Sequence, residues 1–201
     1  FGIAGVATEG GLRIALGVLF GAAFLLFAVL TGIFANMYCA FSYNGKKQVS
    51  KRVIEGIAQY VALSDGGKGL DVGCGSGILG IAALALGAES CTFIDIDPQA
   101  TEATCANLAC NGMDAEVICG DLAEKYDGQA DMILANLTAD ILLRLRETLP
   151  SVTKKGSVVV MSGIIDARAN DVERGFFSDG VFGKVAEKRK NGWRAYAAVK
   201  L

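Results

Sequence analysis

Between Gly69 and Gly80 the chain reads GLDVGCGSGILG. So little side-chain bulk lets a backbone turn sharply and approach a ligand closely. Two spacings overlap here. Gly75, Gly77 and Gly80 fit G-x-G-x-x-G, a dinucleotide loop. Asp71, Gly73, Gly75 and Gly77 fit D-x-G-x-G-x-G, a loop for S-adenosylmethionine. Asp71 discriminates between them. An acid beside the loop repels a pyrophosphate but attracts the α-ammonium and sulfonium of S-adenosylmethionine. Further acids stand where such ligands need acceptors. Asp95 suits ribose hydroxyls, and Asp121 suits an adenine amino group. Ile96 and Leu122, the residues that follow them, complete the adenosine side of the predicted site. Cys74 contributes backbone only, because no neighbouring cation or base would activate its thiolate. Simpler roles remain open: Asp71 as a strand-end cap, Asp121 as a turn residue.

The elements that must position these residues alternate. The strands are KGLDVG, CTFIDID, AEVICGD, ADMILANL and GSVVVMSGI, the last entered through a turn at Lys154–Gly156. The helices are GILGIAALAL, stopped by Gly87; one opened by Asp97-Pro98 and stopped at Asn111-Gly112; ADILLRLRETL, ended by Pro150; and one from about Asp166 to Phe176. FGKVAEKRK and WRAYAAVKL follow, joined at Asn191-Gly192, a strong hairpin signal. An amphipathic helix through Val49, Val53, Ile57 and Val61 precedes the first strand. The expected fold is α/β: a doubly wound, Rossmann-like, mostly parallel seven-stranded sheet with an antiparallel C-terminal hairpin. Ligands bind such sheets outside the C-terminal strand ends. The closing hairpin also favours a methyltransferase layout over a nicotinamide-binding one.

Composition narrows the chemistry. The 201 residues carry a net charge of −2, so no global field draws nucleic acid. There is no histidine, which excludes imidazole bases and Ser-His or Cys-His pairs. The six cysteines form no C-x-x-C pair and read as small, mostly buried, reduced residues, with no metal site. Mean hydropathy is +0.42, and the excess is local. From Ile14 to Phe34 no residue is charged, a length that matches the ~20 residues needed to span a bilayer. Lys46, Lys47, Lys51 and Arg52 follow, which places the C-terminal side in the cytoplasm. The expected organisation is a 1–13 N-terminal fragment, a 14–41 transmembrane helix and a 42–201 catalytic domain, held at the cytoplasmic face of a bacterial inner membrane. The first residue, Phe1, suggests that the natural N-terminus lies further upstream.

The segments LDVGCGSGILGIAALALGA, FIDIDPQA, NLACNG, ANLTADILLRL, SGIIDARANDV and GWRAYAAVKL resemble the catalytic domain of the bacterial ribosomal protein L11 methyltransferase family. The resemblance runs from about Lys68 to Leu201. It implies S-adenosylmethionine as cofactor and an amine nitrogen of a protein as acceptor. Asn136, ending the fourth strand, would sit beside the reacting centre, its amide oxygen and the Ala135 carbonyl accepting hydrogens from the incoming amine. Asn136 can alternatively cap the helix from Ala139. Two departures stand out. FSYNGKKQVSKRV occupies the place of the family's Gly-Thr-Gly-x-His-x-Thr-Thr segment, and the apolar run replaces its substrate-recognition domain. A small-molecule or lipid-borne acceptor is therefore the alternative. A nicotinamide oxidoreductase and a binding protein on a decayed fold are remoter ones. Trp193 reads first as a packed aromatic on the last strand, with a place lining the substrate mouth as the alternative.

Overall fold

The computed structural model describes residues 66–201. The predicted membrane span and the amphipathic helix through Val49–Val61 lie outside them. Among the described residues no helix is long and apolar enough to cross a membrane.

Seven strands form one sheet in the order β3-β2-β1-β4-β5-β7-β6. They are β1 Lys68–Val72, β2 Ser90–Asp95, β3 Val117–Cys119, β4 Ala130–Asn136, β5 Thr153–Ile165, β6 Phe182–Lys190 and β7 Trp193–Lys200. Strands β1 to β5 pair in parallel, and β7 runs antiparallel to both β5 and β6. Four helices connect them: α1 Ile78–Ala85, α2 Pro98–Cys110, α3 Ala139–Val152 and α4 Ala169–Phe177. The order reverses between β1 and β4, where the glycine loop and Asn136 both emerge.

Local chemistry explains the boundaries. Helix α1 ends in a Schellman turn, with Ala88 N–H donating to the Ala83 carbonyl and Gly87 N–H to that of Leu84. Gly87 supplies the φ of +104° this turn needs. Asp97 caps α2 by accepting from Gln99 N–H at 2.9 Å, with Pro98 in the first turn. The hairpin turn places Asn191 and Gly192 at φ +51° and +81°, the mirror-image turn that suits twisted strands.

The core lies on both sheet faces. Leu142, Leu145 and Leu149 of α3 are fully buried against Ile133, Val159 and Met161, each such side chain contributing about 1.5–3 kcal/mol. On the other face α1 and α2 cover Phe93, Cys91, Met132 and Leu134. Gly80 permits that contact, since a Cβ there would stand 2.3 Å from the Phe93 ring.

Several expectations need correction. Helix α3 continues through Pro150 to Val152. Its last carbonyls find other donors: the Thr153 hydroxyl reaches Leu149 O at 2.6 Å, and Lys200 Nζ reaches Pro150 O at 2.8 Å. These contacts serve the terminal carbonyls; the proline itself still removes the bond to the Arg146 carbonyl and crowds it. Strand β5 starts at Thr153, ahead of the expected turn. Residues Lys154–Ser157 bulge out of the ladder around Gly156, whose φ is +87°. Strand β3 is only Val117–Cys119. Of the described cysteines, Cys74 and Cys91 are buried, but Cys105, Cys110 and Cys119 are exposed.

Candidate active site

Three glycines shape the loop between β1 and α1, each for its own reason. All have positive φ: +67° at Gly73, +56° at Gly75 and +76° at Gly77. A Cβ on Gly73 would meet Leu137 at 2.4 Å, and one on Gly77 would meet Thr104 at 2.9 Å. A Cβ on Gly75 would meet nothing, so the loop is packed at its two ends and open at its centre. Gly73 and Cys74 N–H both donate to Ile94 O, and the Cys74 carbonyl accepts from Gly77 N–H. Helix α2 braces the loop from the side: Thr104 Oγ1 donates to Gly75 O at 3.1 Å and Asn107 Nδ2 to Ser76 O at 2.8 Å. No sequence signal singled out Thr104 and Asn107, whose spacing is ordinary for a polar helix face.

Asp71, one residue before the end of β1, is 1% exposed. Its Oδ2 accepts from Gly80 N–H at 2.8 Å. Gly77, the N-cap of α1, has no side chain to satisfy the first-turn donors, so Asp71 caps the helix from the preceding strand. Burial pushes its carboxyl up to about 7; the Gly80 N–H opposes this and the nearby Asp95 charge adds to it. The predicted electrostatic choice between ligands is thereby weakened, because Asp71 is only partly ionised at neutral pH. The antiparallel hairpin is the sounder discriminator. The Cys74 thiol contacts Thr104 Oγ1 at 3.3 Å and is pushed up to about 11, mainly by burial. Its thiol and its N–H are thus both engaged outside the loop, by α2 and by β2.

Asp95 ends β2 with both oxygens partly engaged. Oδ2 accepts from Gly75 N–H at 2.9 Å and Oδ1 from Asp97 N–H at 3.0 Å. Each oxygen retains a lone pair. Ile96, next along, is 67% exposed, a bare apolar surface at the sheet edge. Asp121 follows β3 and takes Arg144 Nη2 on one oxygen at 2.7 Å, leaving the other without a partner among the described residues. Leu122 beside it adopts φ +48°, an uncommon value for a side-chain-bearing residue. Asp95→Ala should weaken binding of an adenosyl ligand at least tenfold, the range for lost bonds to a charged acceptor. It should also loosen Gly75. Calorimetry with S-adenosylhomocysteine would check this, and an unchanged affinity would remove Asp95 from the site.

Asn136 is exposed at the end of β4, paired in register with Ser162 of β5. Ser162 Oγ donates to Asn136 Oδ1 at 3.0 Å. Thr138 is the N-cap of α3, so the capping role for Asn136 is excluded. Gly163 has φ +83°, and a Cβ on it would stand 2.7 Å from Leu137 O and 3.0 Å from Asn136 Oδ1. Ala135 departs from expectation. It is 1% exposed and in register with Val72 on one side and Met161 on the other, so its backbone belongs to the ladder. The Asn136 side chain is the acceptor that remains.

A cavity of about 450 Å³ opens beside Asn136, lined also by Ser162, Gly163, Lys188, Lys190 and Trp193. Trp193 is 54% exposed, which corrects its reading as a packed aromatic. Ser162 and Gly163 fall within the quoted SGIIDARANDV segment, but nothing in it set them apart as site residues.

The family described as ribosomal protein L11 methyltransferase (PrmA) matches residues 44–200. The ribosomal protein L11 methyltransferase of Thermosipho melanesiensis is 37% identical over 126 residues, 63% of this chain and 46% of that one. Its counterpart from Clostridium botulinum is 34% identical over 157 residues, 77% of this chain and 49% of that one. The chain thus spans about half the length of these curated relatives. The ribosomal protein L11 methylase structure from Lactobacillus delbrueckii superposes with a TM-score of 0.68 at 32% identity, covering 78% of this chain and 79% of that one. A 16S rRNA methyltransferase of Thermus thermophilus in complex with AdoMet and guanosine shares the fold at TM-score 0.62 and 17% identity, over 76% of this chain and 43% of that one.

Proposed function

Because the chain belongs to the ribosomal protein L11 methyltransferase family, we propose that it transfers a methyl group from S-adenosylmethionine to an amine nitrogen of a protein, with ribosomal protein L11 as the first acceptor to test. The observation that carries this reading is the placement of Asn136 and the glycine loop at adjacent strand ends, where the sheet order reverses.

The residues present fit the cofactor. The loop is open at Gly75, where a bound group can lie against backbone. Asp95 has spare lone pairs for ribose hydroxyls, Ile96 offers apolar contact while Leu122 is packed into the core, and Asp121 has a carboxylate oxygen for the adenine amino group. The cofactor supplies a methyl carbon already activated by sulfonium. What remains for the chain is to present a neutral amine in line, and orientation of this kind can supply about 7–11 kcal/mol. The Asn136 amide oxygen accepts one amine hydrogen, which aims the lone pair. Ser162 holds the amide in that rotamer, and Gly163 keeps the approach clear. No step calls for a histidine. The released proton passes to solvent through the open mouth of the cavity.

The decisive experiment is incubation with labelled cofactor and ribosomal protein L11, followed by mass spectrometry. Label on a lysine or N-terminal amine supports the reading. In parallel, S-adenosylhomocysteine should raise the melting temperature and NAD should not. A rise with NAD alone would return the chain to the oxidoreductase class.

The membrane tether belongs to the same proposal and is supported by the uncharged run 14–34 and the basic residues after it. The 201-residue chain should fractionate with membranes and resist salt extraction. A truncation starting at Tyr43 should be soluble and still bind S-adenosylhomocysteine. Recovery of the longer chain in the soluble fraction without detergent would rule the tether out.

A further inference from the structure

The hairpin of β6 and β7 is rich in cations, and most are already engaged. Lys184 pairs with Glu173 and Glu187, Arg189 with Asp166, and Arg194 with Asp166 and Glu187. Lys200 donates to the carbonyls of Pro150 and Thr153. Lys188 and Lys190 differ: among the described residues neither has a hydrogen-bond or ion-pair partner.

Their position is set by a bulge. Lys184 is in register with Ala198 and Ala186 with Ala197, so Val185 is an extra residue in β6. An extra residue inverts the alternation of faces. An unbulged strand would point Lys188 and Lys190 to the side of Lys184, toward α4 and its acids. The bulge sends them to the opposite face instead. There they line the cavity with Asn136, Ser162 and Trp193, and Trp193 lies directly across from Lys190.

We propose that Lys188, Lys190 and Trp193 form an acceptor-docking subsite that binds carboxylate side chains flanking the target amine, so that the enzyme selects amines within acidic, extended peptide segments. The inference rests on the methyltransferase reading only in taking Asn136 as the point the amine must reach. Two lysines at alternate positions of a strand stand about 7 Å apart, the repeat of alternate side chains in an extended peptide. The indole gives that peptide a flat apolar face. The charge is selective in a second way. A lysine ammonium with no acidic neighbours is repelled by Lys188 and Lys190, whereas flanking carboxylates offset the repulsion and let the amine enter. Once it is seated, the same cations favour its neutral form, the one with a lone pair. A long polyanion fits less well, because among the described residues the unengaged basic surface here is only two lysines long, Arg189 and Arg194 being held by Asp166 and Glu187 on the opposite face.

Trp193 is the one tryptophan of the chain, so its fluorescence reports on this subsite directly. The full chain would be titrated with a lysine peptide carrying aspartates at alternate positions, with its asparagine counterpart, and with a single-stranded oligoribonucleotide. The aspartate peptide should bind about tenfold more tightly than the asparagine one, as two partly exposed charge pairs imply. The double variant Lys188→Gln, Lys190→Gln should erase the difference, and added salt should shrink it. Equal binding of the two peptides, or no saturable change with either, overturns the proposal. So does an oligoribonucleotide that binds more tightly than the peptide and loses affinity in the variant. Calorimetry with S-adenosylhomocysteine is read separately: loss of cofactor binding would count against the methyltransferase reading, not against the subsite.

Discussion

Replacing Asn136 by alanine will lower methyl-transfer turnover by roughly ten- to a thousandfold, the range for losing one well-placed polar group in a transition state. Cofactor affinity will change far less. The structure strengthens the separation between these effects. Asn136 is exposed and does not cap α3, so its removal costs the fold little beyond the Ser162 hydrogen bond, about 1 kcal/mol. A melting temperature close to that of the unaltered protein should therefore accompany the loss of rate. Ser162→Ala should give a milder version of the same phenotype, since it frees the amide to rotate without removing it. The measurement is single-turnover methylation of an accepted amine alongside calorimetry of S-adenosylhomocysteine. Normal turnover in Asn136→Ala would strip this residue of any part in the chemistry.

The second large effect concerns Asp71 and pH. Its carboxyl titrates near 7 in the folded chain because it is buried, against an ordinary value of 3.8 when unfolded. Between those values the native state holds a proton that the unfolded chain has released. Stability contributed by this group is therefore fully present below pH 4, declines as pH rises, and levels off above pH 7. The span corresponds to about 4 kcal/mol at most. Denaturant unfolding across that range should show the decline in the unaltered protein. Asp71→Asn keeps an oxygen for Gly80 N–H but cannot titrate, so its profile should be flatter by that amount. Parallel profiles would mean that Asp71 is ionised throughout. A cationic ligand above the loop favours the carboxylate, so S-adenosylmethionine should bind more tightly as pH rises toward 7 and release a proton on binding.

Much of this architecture was legible because its signals are local. Asp97-Pro98, Gly87 and Asn191-Gly192 each dictate a backbone conformation within a few residues, and each acts as read. The glycine loop was legible for the same reason. What escaped depends on partners distant in sequence. Pro150 looked like a helix end because the groups that finish its carbonyls, Thr153 and Lys200, include one fifty residues away. Asp71 reads in the sequence as a ligand partner, with a strand-end cap as the alternative, because its burial and its bond to Gly80 N–H depend on how α1 packs on the sheet. Lys188 and Lys190 were missed as cavity residues because a single inserted residue, Val185, decides which face they occupy. Sequence alternation alone gives the opposite answer.

The two outer strands, β3 and β6, share a further property. A sheet margin exposes unpaired N–H and C=O groups that can recruit a strand from another molecule. On one side β3 offers only three residues. On the other, β6 is long enough to be a hazard, but it is bent at Val185 and carries Lys188, Arg189 and Lys190 consecutively near its end. Two such margins brought together would oppose like charges across a kinked ladder. The bulge that turns the lysines toward the cavity thus also guards the sheet against self-association into aggregates.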